Sequence, residues 1–154
     1  MLDEPQIVQT ASQLTAVIRL TIPKDEIQKV MGPGYGELMA AVAAQGIATT
    51  GPWFNHHLRI APELWDFEIG VPVEKPVSAV GRVQASRLPA ATVARTIYHG
   101  PYEGLGSAWG ELEAWIAAQG HVSRPDLWEC YAAGPGSSPD PAAWRTELNR
   151  PLLR

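Results

Sequence analysis

The sequence predicts an α+β fold in which two copies of a strand-helix-strand-strand unit share one core. The first observation is a repeat: GELMAAVAAQG at residues 36–46 returns as GELEAWIAAQG at residues 110–120, an offset of 74 positions. The second is that a run rich in β-branched residues precedes each copy and two strand-like runs follow it. Two copies are too few for a solenoid, which needs about three units. A pseudo-two-fold pair therefore fits better, because joining two small sheets covers open edges and creates a cleft between the halves.

The elements of the first half follow from composition and from its glycines and prolines. Residues 6–11 and 14–22 favour strands, because β-branched residues alternate there with polar ones. Residues 24–30 favour a short helix, which the Gly-Pro-Gly at 32–34 is expected to end. The main helix comes next. Two strand-like runs follow it, at residues 53–60 and 64–73.

Both repeated segments are predicted to be amphipathic helices that a glycine ends. Gly46 and Gly120 lie where a left-handed residue terminates a helix. The expected buried stripes, at the i, i+3, i+4 and i+7 spacing, are Leu38, Ala41, Val42 and Gln45 in the first copy and Leu112, Trp115, Ile116 and Gln119 in the second. After the second copy, LWECYAA (127–133) and AWRTELNRPL (143–152) predict two strands.

Length and charge limit the domain count and the partners. A chain of 154 residues predicts one domain over residues 1–154, with halves of about 1–77 and 78–154. A net charge of −4 without a Lys/Arg cluster argues against nucleic-acid binding. The chain contains no apolar run of the roughly 20 residues that span a bilayer. Its start lacks a signal-peptide pattern, so we expect a cytoplasmic protein with no membrane partner. Prolines near the predicted sheet edges favour a monomer, although the oligomeric state stays open.

The strand LWECYAA carries the candidate acid. Alternation places Leu127, Glu129 and Tyr131 on one face, opposite the face that carries Trp128. Trp, Cys and Ala make the more apolar set and are expected under the helices, so Glu129 and Tyr131 are expected to face the cleft. A cationic ligand would offset the desolvation of this carboxylate, and aromatic faces would add about 0.5 to 2 kcal/mol of cation-π attraction. The alternative is a surface salt bridge between Glu129 and a neighbouring Arg.

The offset of 74 pairs this strand with residues of the first half. Trp53, Asn55 and His57 correspond to Leu127, Glu129 and Tyr131. They share one strand face and are expected to form a hydrophobic and hydrogen-bonding wall of the cleft. Core packing is the alternative for Trp53, and solvent exposure is the alternative for His57.

Two further aromatic residues are candidates for the ligand site. Tyr98 lies just before the Gly-Pro turn at the entry to the second helix, at the cleft edge or in the core. Trp115 belongs to the predicted buried stripe but could reach the cleft floor through the junction of the two sheets. Glu103, in the same turn, is most simply a complement to the helix dipole.

Metal and cofactor chemistry find little support in the motifs. His56 and His57 are neighbours on a strand and point to opposite faces, so no metal site is expected. Nucleotide-binding, nucleophile-elbow and zinc-protease motifs are absent from the sequence, and no cofactor is expected. Any catalysis would be acid-base chemistry, with Glu129 as the acid or base and Tyr131 assisting.

Three segments carry a family resemblance: IYHGPYEGLGSAWGELEAWIAAQG, RPDLWECYAAGP and AAWRTELNRPL. Together with the opening strands they closely resemble the GyrI-like family, an effector-binding module found alone or attached to transcription regulators. The resemblance covers nearly the whole chain. It implies a curved antiparallel sheet with both main helices on one side and a ligand cleft between the halves. The family's glutamate on the LWECYAA strand maps onto Glu129.

The resemblance also implies a choice of functions. Many members bind bulky, hydrophobic and often cationic drugs. The leading expectation is therefore a stand-alone, polyspecific binder of hydrophobic, preferably cationic small molecules that sequesters or senses drugs or toxins in a bacterial cell. Because no helix-turn-helix precedes the module, a DNA-binding regulator is not expected. The alternative is a hydrolase of cyclopropane-bearing or other electrophilic toxins that uses the same glutamate. A third possibility is a protein that contacts gyrase.

Overall fold

The computed structural model describes residues 2–23, 26–60, 64–133 and 139–153. The chain forms two compact units. Ala11–Ala90 make up one, called here the middle unit, and Met1–Thr10 with Ala91–Arg154 make up the other, called the terminal unit. Each contains an antiparallel sheet and one main helix, so the predicted α+β class and the duplication are confirmed.

The middle unit has the predicted strand-helix-strand-strand order with one added strand. The elements are β2 (Gln13–Pro23), α1 (Ile27–Ala44), β3 (Phe54–Ile60), β4 (Leu64–Pro72) and β5 (Val83–Leu88). The strands are ordered β3-β4-β2-β5 in the sheet, and all neighbours are antiparallel. The edge strand β5 was not predicted, because its sequence VQASRL is polar and short.

The terminal unit repeats this plan. The elements are β1 (Gln6–Gln9), β6 (Thr92–His99), α2 (Leu105–Ala118), β7 (Leu127–Ala133) and β8 (Arg145–Pro151). The strands are ordered β1-β6-β8-β7 in the sheet, and all neighbours are again antiparallel. A single 3-10 turn at Tyr102–Gly104 leads into α2. The opening strand β1 thus pairs with β6 of the second half, and β5 takes the equivalent edge position in the middle unit.

One helix prediction is wrong. The Gly-Pro-Gly at residues 32–34 was expected to break the helix, yet α1 continues through Pro33. A Cβ built on Gly34 would come within 2.6 Å of Ile69 Cδ1, so glycine there lets the helix approach the sheet closely. Packing of this face therefore outweighs the hydrogen bond that proline removes.

Each main helix packs on its own sheet. In the middle unit Leu38, Ala41 and Val42 are buried as predicted. In the terminal unit the buried helix residues are Ala108, Leu112 and Ile116, with Trp115 partly buried beside them. Gly46 and Gly120 adopt φ values of 66° and 76°, which confirms the predicted stops.

Within the described residues, none of the helices has the length and apolar character needed to cross a membrane.

Candidate functional site

The carboxylate of Glu129 is buried and is held by two neutral donors. Trp109 Nε1 donates to Oε2 at 2.6 Å, and Tyr131 Oη donates to Oε1 at 2.9 Å. The residue is 8% exposed. Trp109 lies on α2 and Tyr131 lies two residues along β7, so a helix and a strand together fix the orientation of the acid.

The predicted orientation of this strand is wrong. Glu129 pairs in register with Leu148, which packs in the core cluster under α2, so Glu129 lies on the helix-facing side of the sheet. The contact with Trp109 confirms the assignment. Trp128 and Cys130, which were expected under the helix, lie on the other face, beside Asn149 and Glu147. The alternation of the strand correctly predicts which residues share a face. The assumption that the more apolar face lies under the helix is wrong for this strand.

Burial without a cationic partner controls the electrostatics of Glu129. Removal from water raises the pKa of Glu129, while the hydrogen bonds from Trp109 and Tyr131 act in the opposite direction. The hydrogen bonds and ion pairs found in the described part of the chain bring no Lys, Arg or His to this carboxylate. A buried acid of this kind has capacity for a positive charge, and the described residues do not supply one.

Aromatic rings surround this acid. Tyr102 meets Tyr131 edge-on, with ring centroids 5.8 Å apart, and lies 5.0 Å from Trp144 at a 34° tilt. Burial and then the charge of Glu129 raise the pKa of Tyr102. Tyr102 is 36% exposed, and the other three rings are half-buried, so ligands can reach this surface. We call this group the glutamate site; its members are Glu129, Trp109, Tyr131, Tyr102 and Trp144.

The side chain of Tyr98 holds the turn that carries Tyr102. The Tyr98 hydroxyl donates to the Pro101 carbonyl at 2.8 Å. A Cβ at Gly104 would overlap that hydroxyl, so any other residue there would have to displace the Tyr98 side chain. Gly100, at φ 134°, donates its N–H to the Trp144 carbonyl at 3.1 Å. The turn therefore holds Tyr102 and Trp144 beside each other.

Three of the sequence candidates lie in or near the core of the terminal unit. Tyr98 is 7% exposed and belongs to the cluster under α2, so of the two positions predicted for it the core is correct. Trp115 packs against the same cluster. Leu127 is 5% exposed and shares the strand face of Glu129. Among the described residues, the two hydrogen bonds that Glu129 accepts come from Trp109 and Tyr131 and from none of these three side chains.

The middle unit holds an uncharged counterpart of the glutamate site. Tyr35 Oη donates to Asn55 Oδ1 at 2.6 Å, and Asn55 is 3% exposed. Trp53 stacks on Tyr35 with ring centroids 4.1 Å apart and is 38% exposed. His57 lies farther along β3, next to the rings of Trp65 and Phe67. We call this group the asparagine site; its members are Tyr35, Trp53, Asn55 and His57. The last three are the residues of the first half that the sequence predicts as site residues, and the strand residues Asn55 and His57 lie on the α1 side of the sheet.

His57 is neutral in this environment. The residue is 5% exposed, and desolvation, with a smaller contribution from His56, lowers the pKa of His57 to about 4. Its Nδ1 atom is buried and has no hydrogen-bond partner among the described residues. The predicted solvent-exposed alternative for His57 is therefore wrong.

In the terminal unit, the sheet face away from α2 offers little reactivity. On the terminal unit Arg95 pairs with Glu147 at 3.4 Å and donates to Asn149 at 2.7 Å. Burial raises the pKa of the neighbouring Cys130 thiol to about 12, so the nucleophilic thiolate is scarce. No cluster of three or more His, Cys, Asp or Glu side chains with metal-binding geometry occurs among the residues that the structure describes.

Sequence reasoning missed four aromatic members of the two sites. Trp109 and Tyr35 lie on helices and are 74 positions apart, so the repeat that paired Glu129 with Asn55 could have paired these residues as well. Tyr102 lies in the 3-10 turn before α2, and Trp144 lies just before β8, so neither belongs to a periodic segment that would mark it as a site residue. Their contacts join segments that are far apart in the chain, and no local pattern shows such contacts.

Solved structures share this fold. The C-terminal domain of EcmrR is 22% identical over 98% of both chains, with a TM-score of 0.86. The matching EcmrR chain in an EcmrR–DNA complex is longer. The match covers 97% of this chain and 57% of the EcmrR chain, at 22% identity and a TM-score of 0.84. SAV2435 bound to tetraphenylphosphonium is 15% identical over 97% of this chain and 94% of its own, with a TM-score of 0.67. A hydrolase from Listeria innocua is 12% identical over 97% of this chain and 91% of its own, also with a TM-score of 0.67. No curated protein matches the chain.

The family is shown by a comparison of sequences. A family model described as the GyrI-like small molecule binding domain matches residues 3–152, nearly the whole chain. Since this match includes both repeated units and the strand that carries Glu129, the chain belongs to the GyrI-like small molecule binding domain family.

Proposed function

We propose that this protein binds hydrophobic organic cations at the glutamate site and acts in sequestering or sensing them. The observation that carries the proposal is the buried carboxylate of Glu129, which receives hydrogen bonds from two neutral donors and lies among partly exposed aromatic rings. A bound cation supplies the positive charge that the described side chains do not place beside Glu129. The family assignment supports a small-molecule ligand.

The binding energy has two physical sources. In a site of low dielectric, a cation near Glu129 recovers Coulomb energy that water would screen at the surface. The faces of Tyr102, Tyr131 and Trp144 add cation-π attraction of roughly 0.5 to 2 kcal/mol each where the charge lies over a ring. A bulky organic cation costs less to desolvate than a small ion such as Na⁺, so these terms favour hydrophobic cations.

Polyspecificity follows from the same contacts. Ring faces and one charge recognise size and sign and place few demands on hydrogen-bond geometry. Cations of different shape can therefore share the glutamate site. SAV2435, which has this fold at 15% identity, is a neighbour whose structure contains the aromatic cation tetraphenylphosphonium, and we use that ion as the probe.

Titration with tetraphenylphosphonium tests the proposal. Glu129→Gln keeps the shape of the side chain and removes its charge, so affinity should fall by about tenfold or more, equal to about 1.4 kcal/mol. Glu147→Gln is the matched control, because Glu147 lies on the adjacent strand but on the other face, paired with Arg95. Equal affinity in wild type and Glu129→Gln would overturn the electrostatic account. Equal losses in both variants would show only a general charge effect.

A hydrolase is the second candidate, and one contact favours it. The hydroxyl of Tyr131 donates to Glu129 at 2.9 Å, and burial raises the pKa of Glu129, so a carboxyl group that holds its proton more readily than usual lies beside an assisting hydroxyl. In the proposed step the protonated acid gives its proton to one carbon of a cyclopropane as the strained C–C bond breaks, and water adds to the other carbon and returns a proton to the carboxylate. Incubation with a cyclopropane-bearing alkylator, followed by mass spectrometry, separates the two functions. Repeated turnover that Glu129→Gln abolishes supports the enzyme, and stoichiometric retention of intact compound supports sequestration.

A further inference from the structure

The duplication repeats the helix-to-strand contact of the glutamate site in the middle unit. At the offset of 74 residues, Tyr35 corresponds to Trp109 and Asn55 corresponds to Glu129. The geometry is repeated as well: an aromatic donor on the helix meets a strand oxygen at 2.6 Å in each unit. The middle unit thus keeps the arrangement of the glutamate site and replaces its carboxylate with a neutral amide.

The amide of Asn55 has unused donor capacity. Its Nδ2 atom carries two hydrogens and contacts only the Met31 thioether, at 3.7 Å, among the described residues. A thioether is a weak acceptor, and a buried donor without a good partner destabilises the fold. Since Asn55 is 3% exposed, water does not fully meet this need.

His57 is the second unsatisfied group on this face. Its ring is 5% exposed, and Nδ1 is one of the buried atoms without a hydrogen-bond partner in the described chain. Residues 55 and 57 lie on the same face of β3, about 7 Å apart by the rise of a strand. Two polar groups at this separation, both uncharged at neutral pH, can be satisfied by one ligand with two polar atoms.

Trp53 supplies accessible apolar surface beside these groups. One face of its indole is covered by Tyr35, and the residue remains 38% exposed. A flat aromatic group can add to this stack, which stabilises binding beyond the effect of the area that it buries.

We propose that the asparagine site binds an uncharged, planar aromatic group that carries a hydrogen-bond acceptor, such as a carbonyl oxygen, with Asn55 Nδ2 as the donor. The proposal rests on the proposed small-molecule role but not on the charge of Glu129. It extends the ligand range from hydrophobic cations to neutral aromatic carbonyl compounds.

The test compares two probes of similar shape. Naphthalene-1-carboxamide carries the acceptor, and 1-ethylnaphthalene lacks it. In nuclear magnetic resonance titrations, wild type should bind the carboxamide at least about fivefold more tightly, and the Asn55 side-chain amide resonances should shift with the carboxamide only. Asn55→Leu should abolish the preference, while Glu129→Gln should retain it. Equal affinities for the two probes, or a preference that survives in Asn55→Leu, would overturn the proposal.

Two further measurements keep this test independent of the proposed cation binding and of folding. Tetraphenylphosphonium titration of Glu129→Gln tests the glutamate site alone. The proposal for one site can therefore be refuted while the proposal for the other is supported. If Asn55→Leu does not fold, the wild-type amide shift decides alone. Shifts that are the same with both probes, or absent with both, would then count against the asparagine site.

Discussion

The two units build the same contact with different chemistry. In the terminal unit Trp109 donates to Glu129, and in the middle unit Tyr35 donates to Asn55, both at 2.6 Å. Glu129 receives a second donor from Tyr131, whereas the equivalent residue of the middle unit is His57. The comparison teaches that the fold supplies the same helix-to-strand hydrogen bond in each half, and that one carboxylate with its extra donor distinguishes the half in which we propose cation binding.

Transfer of the charge to the middle unit should produce the largest effect. Asn55→Asp places a carboxylate at a buried position where Tyr35 is its one strong donor, so its pKa should rise. Above that raised pKa the ionised form destabilises the fold, and we expect a loss of about 3 kcal/mol at pH 7 that shrinks as the pH falls. Chemical denaturation of the variant and wild type at pH 7 and pH 4.5 measures this. A loss independent of pH would contradict the comparison.

Acidification should act on the middle unit through His57. Its folded pKa of about 4 lies below the ordinary value of 6.5, so the unfolded chain binds the proton first. Stability linked to His57 is fully present above pH 6.5 and is lost as the pH falls towards 4, by up to about 3 kcal/mol. His57→Gln should remove this part of the pH dependence, as measured by unfolding free energies from pH 7 to pH 4. The same acid-induced loss in wild type and variant would refute the assignment.

The two helix donors should differ in strength. A hydrogen bond to a charged group contributes about 1.5 to 3 kcal/mol, and one between neutral groups contributes about 0.5 to 1.5 kcal/mol. Double-mutant cycles at neutral pH isolate these energies from packing: Trp109→Phe with Glu129→Leu, and Tyr35→Phe with Asn55→Leu. We expect coupling of about 2 kcal/mol in the terminal unit and about 1 kcal/mol in the middle unit. The reverse order would show that Glu129 is held in its neutral form.

The helices themselves should respond alike. Gly36 and Gly110 are equivalent positions of α1 and α2, and a Cβ built on either meets nothing within 4 Å. Alanine at each position should therefore raise the unfolding free energy by roughly 0.5 to 1 kcal/mol, since it removes glycine from an exposed helix interior. Thermal denaturation of the two single variants checks the result. A gain in one unit and a loss in the other would show that the helix backbones are not equivalent.

Much of this comparison could be predicted from the sequence, because the repeat is visible there. The 74-residue offset identified both helices, their glycine stops, and Glu129 and Asn55 as equivalent positions. The facing of β7 was wrong, because a strand's alternation does not say which side meets the helix. That choice depends on Trp109, which reaches Glu129 across a separation of 20 residues. The break expected at Pro33 failed for the same reason, since packing of Gly34 on Ile69 is a long-range effect.

The pH dependence of tetraphenylphosphonium binding tests the central claim most directly. If the cation binds the ionised form of Glu129, wild-type affinity should fall as the pH is lowered through the raised pKa of this residue, and the affinity of Glu129→Gln should stay low and constant over the same range. Tetraphenylphosphonium carries no titratable group, so the change reports on the protein alone. A wild-type affinity that does not change with pH, or a variant that follows the wild-type curve, would contradict the account.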